Sequence, residues 1–171
     1  MNINSHEKKA VYPGSFDPIT NGHVDIIERG LNIFDQINVA VLKNPKKEPL
    51  FPTKERVEMI KDLFPDQKRI RVISFYGLLV DFAKKIKAPI VIRGLRAVSD
   101  FEYEFQMSLM NRKLAPDIET LYMMPAVEYS FLSSQLVKEV CLLGGCLEGL
   151  VPPLIEEKLK SKLKKNQNIT L

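Results

Sequence analysis

The sequence predicts a single doubly wound α/β domain, and three features carry that prediction. Short apolar runs alternate with amphipathic stretches along the chain, the order expected of a parallel sheet built from strand-helix-strand units. The run Ile37-Asn38-Val39-Ala40-Val41-Leu42 is almost wholly apolar, as a strand must be when helices cover both faces of its sheet. The unusual polar residues fall just after the apolar runs rather than within them. They therefore gather at the carboxyl ends of the strands, where such folds hold their ligands.

The first strand is Lys9-Ala10-Val11-Tyr12, and Val24, Ile27, Leu31 and Phe34 recur at helical spacing, which predicts a helix from Gly22 to Phe34. The second strand is Ile37 to Leu42. After the loop Lys43-Asn44-Pro45-Lys46-Lys47-Glu48-Pro49, Thr53 opens a helix carrying Val57, Ile60, Leu63 and Phe64. Arg71 to Phe75 is the third strand, Leu79, Phe82, Ala83 and Ile86 mark the next helix, and Pro89 to Ile92 is the fourth strand. Arg93-Gly94-Leu95-Arg96 follows directly, and Ser99-Asp100-Phe101-Glu102 has the pattern of a capping box opening a helix with Phe101, Phe105 and Leu109. Phe101, Tyr103 and Phe105 read as core, with Glu104 in reach of the rim. Leu121 to Met124 is the fifth strand, and a Ser-rich helix start precedes Val137 and Val140. Pro152-Pro153 begins a terminal helix through Ile155, Leu159 and Leu163, since proline suits the first helical turn. The expected architecture is Rossmann-like: five parallel strands in the order 3-2-1-4-5 with helices on both faces. In that order strands one and four adjoin, bringing Ser15 and His23 beside Arg93 and Arg96, with Lys47 and Ser134 on the same rim.

Length and composition narrow the function. At 171 residues one domain over 1–171 is expected, with flexible ends at 1–8 and 166–171. No apolar run approaches the roughly 20 residues that span a bilayer, and Met1 to Lys9 lacks the apolar centre of a signal peptide. A cytoplasmic protein with no membrane partner is expected. Cys141 and Cys146 flank Gly144-Gly145 with no histidine cluster nearby, so they read as free thiols, and no protein-built metal site is expected. The net charge of +4 comes mostly from the lysines at 158–165. A nucleic-acid binder would carry a basic face interleaved with exposed aromatics. A small anionic substrate is the better expectation.

The stretch Tyr12 to His23 reads as an anion-binding loop. Pro13-Gly14 and Asp17-Pro18 force turns, and Gly14 and Gly22 let backbone N–H groups approach a ligand. His23 falls in the first turn of a helix, where the orphan N–H groups and the dipole already favour phosphate. Taken singly, His23, Lys46, Lys47, Arg93 and Arg96 would each pass for solvated charges, and Ser133 and Ser134 for helix caps. Their convergence on one end of the sheet favours a site. Neither G-x-G-x-x-G nor G-x-x-x-x-G-K-[S/T] occurs, so the standard dinucleotide and P-loop readings lose their main support.

Thr20-Asn21-Gly22-His23 resembles the T/H-x-G-H signature of the nucleotidyltransferase superfamily. The segments Tyr12 to Val24, Lys47, Arg93 to Gln106 and Tyr129 to Glu139 together resemble the phosphopantetheine adenylyltransferase family, over about residues 9 to 160. The long run Arg93 to Glu104 separates that family from cytidylyltransferase relatives. The resemblance implies transfer of AMP from ATP to 4′-phosphopantetheine, giving dephospho-CoA and pyrophosphate, with Mg2+ accompanying ATP. It implies that Ser15, Lys47, Leu79 and Arg93 contact the pantetheine substrate. It further implies that Ser15, Phe16, His23, Gly94, Leu95, Arg96, Glu104, Tyr129, Ser130, Phe131, Leu132, Ser133, Ser134 and Gln135 surround ATP, with His23, Lys47 and Arg96 catalytic. A homohexamer and CoA as a feedback ligand are implied in the same way. Ser15 stands where many members have Thr, Tyr129 where some have Trp, and Gln135 where Ser is common; each retains a comparable chemical group. The alternatives are another T-x-G-H nucleotidyltransferase and a non-catalytic nucleotide-binding module of flavodoxin-like fold.

Overall fold

Gln36 to Val41 are buried without exception, as a run with so few polar residues requires. The structure that accounts for this is a computed structural model, which describes residues 7–43, 48–96 and 98–167. Along the chain come β1 (Lys9–Gly14), α1 (Asn21–Gly30), β2 (Gln36–Leu42), α2 (Thr53–Leu63), β3 (Ile70–Phe75) and α3 (Leu79–Lys85). They are followed by β4 (Ile90–Gly94), α4 (Val98–Leu114), β5 (Glu119–Met123), α5 (Ser134–Leu142) and α6 (Pro153–Gln167). The five strands are parallel and ordered β3-β2-β1-β4-β5, the predicted winding.

Side chains alternate across the strands and so feed two cores. Ala10, Tyr12, Ile37, Val39, Val41 and Ile92 point to the face covered by α1, α2, α5 and α6, where Ile26, Ile27, Met59, Ile60, Val137, Ile155 and Leu159 meet them. Val11, Ala40 and Val91 point the other way, against Val80 and Ala83 of α3 and Ala115 and Ile118 beyond α4. The terminal lysines are less free than their number suggests: Lys158 pairs with Asp62 at 2.9 Å and Lys162 with Glu55 at 3.2 Å, which ties α6 to α2. No described helix is long and apolar enough to cross a membrane, and Cys141 and Cys146 are free.

Several expectations need correction. Helix α1 stops at Gly30, because Asn32 and Ile33 donate to the carbonyls of Arg29 and Gly30, three residues back, and close a tighter turn. Helix α4 already begins at Val98, one residue before the expected Ser99 start. A reciprocal pairing of the capping-box kind joins Thr20 and His23 at the start of α1. Phe101, Tyr103 and Phe105 are exposed to 49%, 64% and 48% rather than core, whereas Glu104 and Asn111 of the same helix are buried. Polar and apolar side chains are mixed around helix α4, so its periodicity does not choose a face. The polar anchors described below choose it.

Candidate active site

Strand β1 is central, but its two neighbours treat it differently. Its ladder with β2 runs from Lys9↔Gln36 to Gly14↔Val41, whereas that with β4 holds only Ala10↔Ile90 and Val11↔Val91. Pro13, which has no N–H to offer a ladder, lies just beyond the last pair. The two strands part there, at the reversal of the winding. Arg93 spans the parting: Nη1 donates to the Pro13 carbonyl at 3.1 Å, while Nε at 2.7 Å and Nη2 take the two oxygens of Glu104. The Tyr122 hydroxyl donates to the Glu104 carbonyl at 2.6 Å and fixes that turn of α4 on the sheet.

The loop after β1 folds back on itself. Phe16 is buried with a left-handed φ of 48°, and its ring packs edge-on against Tyr12 and His23 at centroid distances of 5.5 and 5.1 Å. A non-glycine residue in that region costs on the order of 1–3 kcal/mol, which the ring's burial offsets. Gly14 is required beneath it, since a Cβ there would come within 2.8 Å of the Phe16 ring. At Gly94 a Cβ would lie 2.5 Å from Ile26 Cδ1, so any larger residue there would displace the end of that side chain.

His23 is held in one tautomer. The Thr20 backbone N–H, which can only donate, points at Nδ1 at 3.0 Å, and the Thr20 hydroxyl lies 2.8 Å from the same nitrogen. The ring proton therefore sits on Nε2. Burial above all, and then the charges of Arg96 and Arg93, push its pKa down to about 4, so the imidazole is neutral near neutral pH. Ser133 caps α5 by accepting from Leu136 N–H at 3.0 Å, and the Ser134 hydroxyl donates to the Pro18 carbonyl at 2.7 Å. The start of α5 is thus stitched to the loop at the start of α1. Arg96 donates to the Leu132 carbonyl at 2.8 Å on the same rim.

Two cavities open along this rim. The first, of about 440 Å³, is lined by Ser15, Phe16, His23, Arg93, Gly94, Arg96, Glu104, Tyr129, Leu132, Ser133 and Ser134. The second, of about 370 Å³, is walled by Phe75, Leu78, Leu79, Met107, Met110, Leu114 and Tyr122. They share Pro13, Gly14, Ser15, Arg93, Tyr103 and Glu104. Of the residues named from the sequence, Leu95, Ser130, Phe131 and Gln135 are on neither wall. Leu95 N–H donates to the Met123 carbonyl, Ser130 to the Val127 carbonyl and Gln135 to Glu139, while Phe131 is exposed. The Glu104 carboxylate is engaged by Arg93, and Lys47 lies outside the described residues. Among the described residues no cluster of three or more His, Cys, Asp or Glu could hold a metal ion.

Sequence reasoning missed three residues here. The alternation of β1 marks Tyr12 as buried, but nothing in it shows that the side chain reaches the first cavity, where burial raises the phenol's pKa. Asp17 and Arg56 are both buried beneath the rim. Only the position of Asp17, before a proline inside a turn-rich loop, could have drawn notice.

Residues 11–140 match the cytidylyltransferase-like family. The phosphopantetheine adenylyltransferase of Geotalea daltonii is 61% identical over 155 residues, 91% of this chain and 96% of that protein. The one from Caldanaerobacter subterraneus subsp. tengcongensis is 54% identical over 157 residues, 92% and 98% of the two chains. Among solved structures, Plasmodium falciparum nicotinic acid mononucleotide adenylyltransferase, complexed with NaAD, has a TM-score of 0.62 at 16% identity over 94% of this chain and 96% of that one, a likeness of fold. The loop, the winding and the extended sequence agreement lead to one family: the chain belongs to the phosphopantetheine adenylyltransferases, within the cytidylyltransferase-like nucleotidyltransferases.

Proposed function

We propose that this enzyme transfers the adenylyl group of ATP to the phosphate of 4′-phosphopantetheine, giving dephospho-CoA and pyrophosphate, the penultimate step of coenzyme A synthesis. The observation that carries the reading is the meeting of two cavities at Ser15 and Arg93. A two-substrate transfer needs two pockets with one cationic junction, whereas a nucleotide-binding module needs one. The first cavity, with His23, Arg96 and the starts of α1 and α5, suits the nucleotide. The second, with Leu78, Leu79, Met107 and Met110, suits the largely apolar pantetheine arm.

An oxygen of the acceptor phosphate attacks the α-phosphorus of ATP. The new P–O bond forms as the bond to the bridging oxygen breaks, and pyrophosphate leaves with that electron pair. The chain's contribution is alignment and charge stabilisation. His23 donates from Nε2 to a non-bridging α-phosphate oxygen, and Arg96 meets the phosphate chain. A neutral His23 of low basicity is poorly suited to remove a proton, and the acceptor, a phosphate monoester with a second pKa near ~6, needs little removed. Arg93 faces the pantetheine side from the junction. Lys47 is assigned the attacking phosphate from the family resemblance, as a mobile point charge.

Mg2+ would be carried by the phosphates of ATP, because the described residues offer no cluster to hold it and Glu104 is engaged by Arg93. The homohexamer and CoA as a feedback ligand are carried over from the same resemblance, and cytoplasmic residence from the sequence's lack of a bilayer-spanning run or signal-peptide core. The exposed apolar side of α4 gives such an assembly a surface to bury. Pyrophosphate release measured with ATP and phosphopantetheine tests the reaction. Release only with a different acceptor would point to another nucleotidyltransferase, and ATP binding with no release to a binding module.

A further inference from the structure

Two buried charged side chains lie beneath the rim, and the reaction as described has no use for them. Arg56, in the first turn of α2, is only 2% exposed. Its Nε donates to the Phe51 carbonyl at 2.9 Å, Nη1 to the carbonyls of Ser15 and Leu42, and Nη2 to the Thr53 hydroxyl at 3.0 Å. Asp17, 4% exposed, works in the opposite direction. Its Oδ1 accepts from Phe51 N–H at 2.9 Å, and its Oδ2 from Leu50 N–H at 3.0 Å and from Lys138 of α5 at 3.2 Å. A residue of α2 thus grips the backbone of the β1 loop, while a residue of the β1 loop grips the backbone that opens α2.

Packing alone does not explain this arrangement. A guanidinium bonded to carbonyls and one hydroxyl carries a desolvation cost that an apolar side chain of similar size would avoid. Burial presses its pKa down, and the nearby Asp17 charge opposes that pressure. What the planar fork supplies is direction, since its five N–H groups have fixed geometry and a lysine's ammonium does not. The acceptors it selects are the end of β2, the start of α2 and, above all, Ser15, which stands in both cavities.

We propose that Arg56 and Asp17 are positioning residues for adenylyl transfer: by clamping the β1 loop and the segment before α2 to each other, they hold Ser15 at the junction of the two cavities. The proposal rests on the function proposed above, because the junction matters only if two substrates meet there. The pair acts through the backbone of Ser15 and touches neither substrate.

The test compares Arg56→Lys, Asp17→Asn and their double variant with wild type and with Ile37→Val, a core substitution at the amino end of β2. Measured are kcat and KM for both substrates per folded molecule, the ATP dissociation constant by calorimetry, and the melting temperature. A misplacement of this kind lowers kcat by about 10- to 100-fold in Arg56→Lys and in Asp17→Asn, with ATP affinity near that of wild type. The double variant loses little more than the worse single, because the two act as one unit. Ile37→Val loses stability and keeps its kcat. If both variants fall in melting temperature like Ile37→Val while kcat and both KM values stay at wild type, the pair is structural only and the proposal is overturned. Should Arg56→Lys fail to fold, Thr53→Val, which removes one acceptor of the fork, takes its place beside Asp17→Asn. A wild type that binds ATP but releases no pyrophosphate with phosphopantetheine overturns the function itself, and the proposal with it.

Discussion

At both ends of the sheet the chain sets an arginine against backbone carbonyls with a carboxylate close by, yet one end is closed and the other holds a site. At the amino end Arg69 donates to the carbonyls of Leu31, Phe34 and Asp35, and the Asp35 carboxylate accepts from Lys8 N–H at 2.8 Å. Every acceptor belongs to one corner, the turn between α1 and β2. At the carboxyl end Arg93 reaches from β4 to a carbonyl of β1, across a gap the ladder does not fill, and is braced from behind by Glu104 of α4. An arginine that binds one corner seals it. An arginine that spans two strands which have already parted keeps them apart at a set distance, and the space beside it is a socket.

Four tests probe this contrast, in falling order of effect. His23→Ala removes a fixed donor at the socket and should lower kcat by about 10²- to 10³-fold, as loss of an oxyanion donor does. Ground-state ATP affinity should change far less; a large loss of affinity with kcat intact would make His23 a simple binding residue.

Arg93→Ala leaves the Glu104 carboxylate, with 11% of its side chain exposed, without its partner. It should cost about 2–3 kcal/mol in urea unfolding and raise KM for phosphopantetheine, with Glu104→Gln recovering part of the stability in a double-mutant cycle. Arg96→Ala should act mainly on ATP, and equal changes in both constants for both variants would erase the division of roles.

The third test is pH. The folded-state pKa of His23, about 4, lies below its unfolded value near 6.5, so between those limits the unfolded chain binds the extra proton. Stability should therefore rise with pH from about 4 to about 6.5 and gain nothing from this group above that. His23→Ala should flatten that part of the curve relative to wild type. The kcat profile should show no His23 limb near 6.5. At the amino end, Asp35→Ala should cost only about 0.5–1.5 kcal/mol and leave both KM values and kcat unchanged.

What could be read from the sequence follows the same division. Strand order and the clustering of Ser15, His23, Arg93 and Arg96 were legible because apolar runs alternating with helical stretches mark a doubly wound sheet, whose ligands lie past the strands' carboxyl ends. Arg56 was not: in Lys54-Glu55-Arg56-Val57-Glu58 it is one of four charges, and periodicity marks Val57 without revealing that the neighbouring cation turns inward. The orientation of α4 was hidden for another reason, since a helix with polar and apolar residues mixed on every side carries no stripe, and its inward face is chosen by Glu104 meeting Arg93. Leu95, Ser130, Phe131 and Gln135 came with the resemblance, which places residues near a ligand without saying which side chains face it.

If the nucleotide sits where the proposed function puts it, the early end of the β1–β4 ladder would make the substrate a structural component of its own enzyme. By backbone pairing the sheet is a three-stranded leaf and a two-stranded leaf joined at two residue pairs. A nucleotide lying across the crevice and bonded to His23 of α1 beside one leaf and Arg96 beside the other would act as a further rung. Mass action then stabilises the closed sheet by about 2.7 kcal/mol at a hundred times the dissociation constant. Amide protons of Gly14 and Gly94 should exchange more slowly in ATP than in its absence, while those of Ile37 to Val39, already paired on both sides, should barely notice.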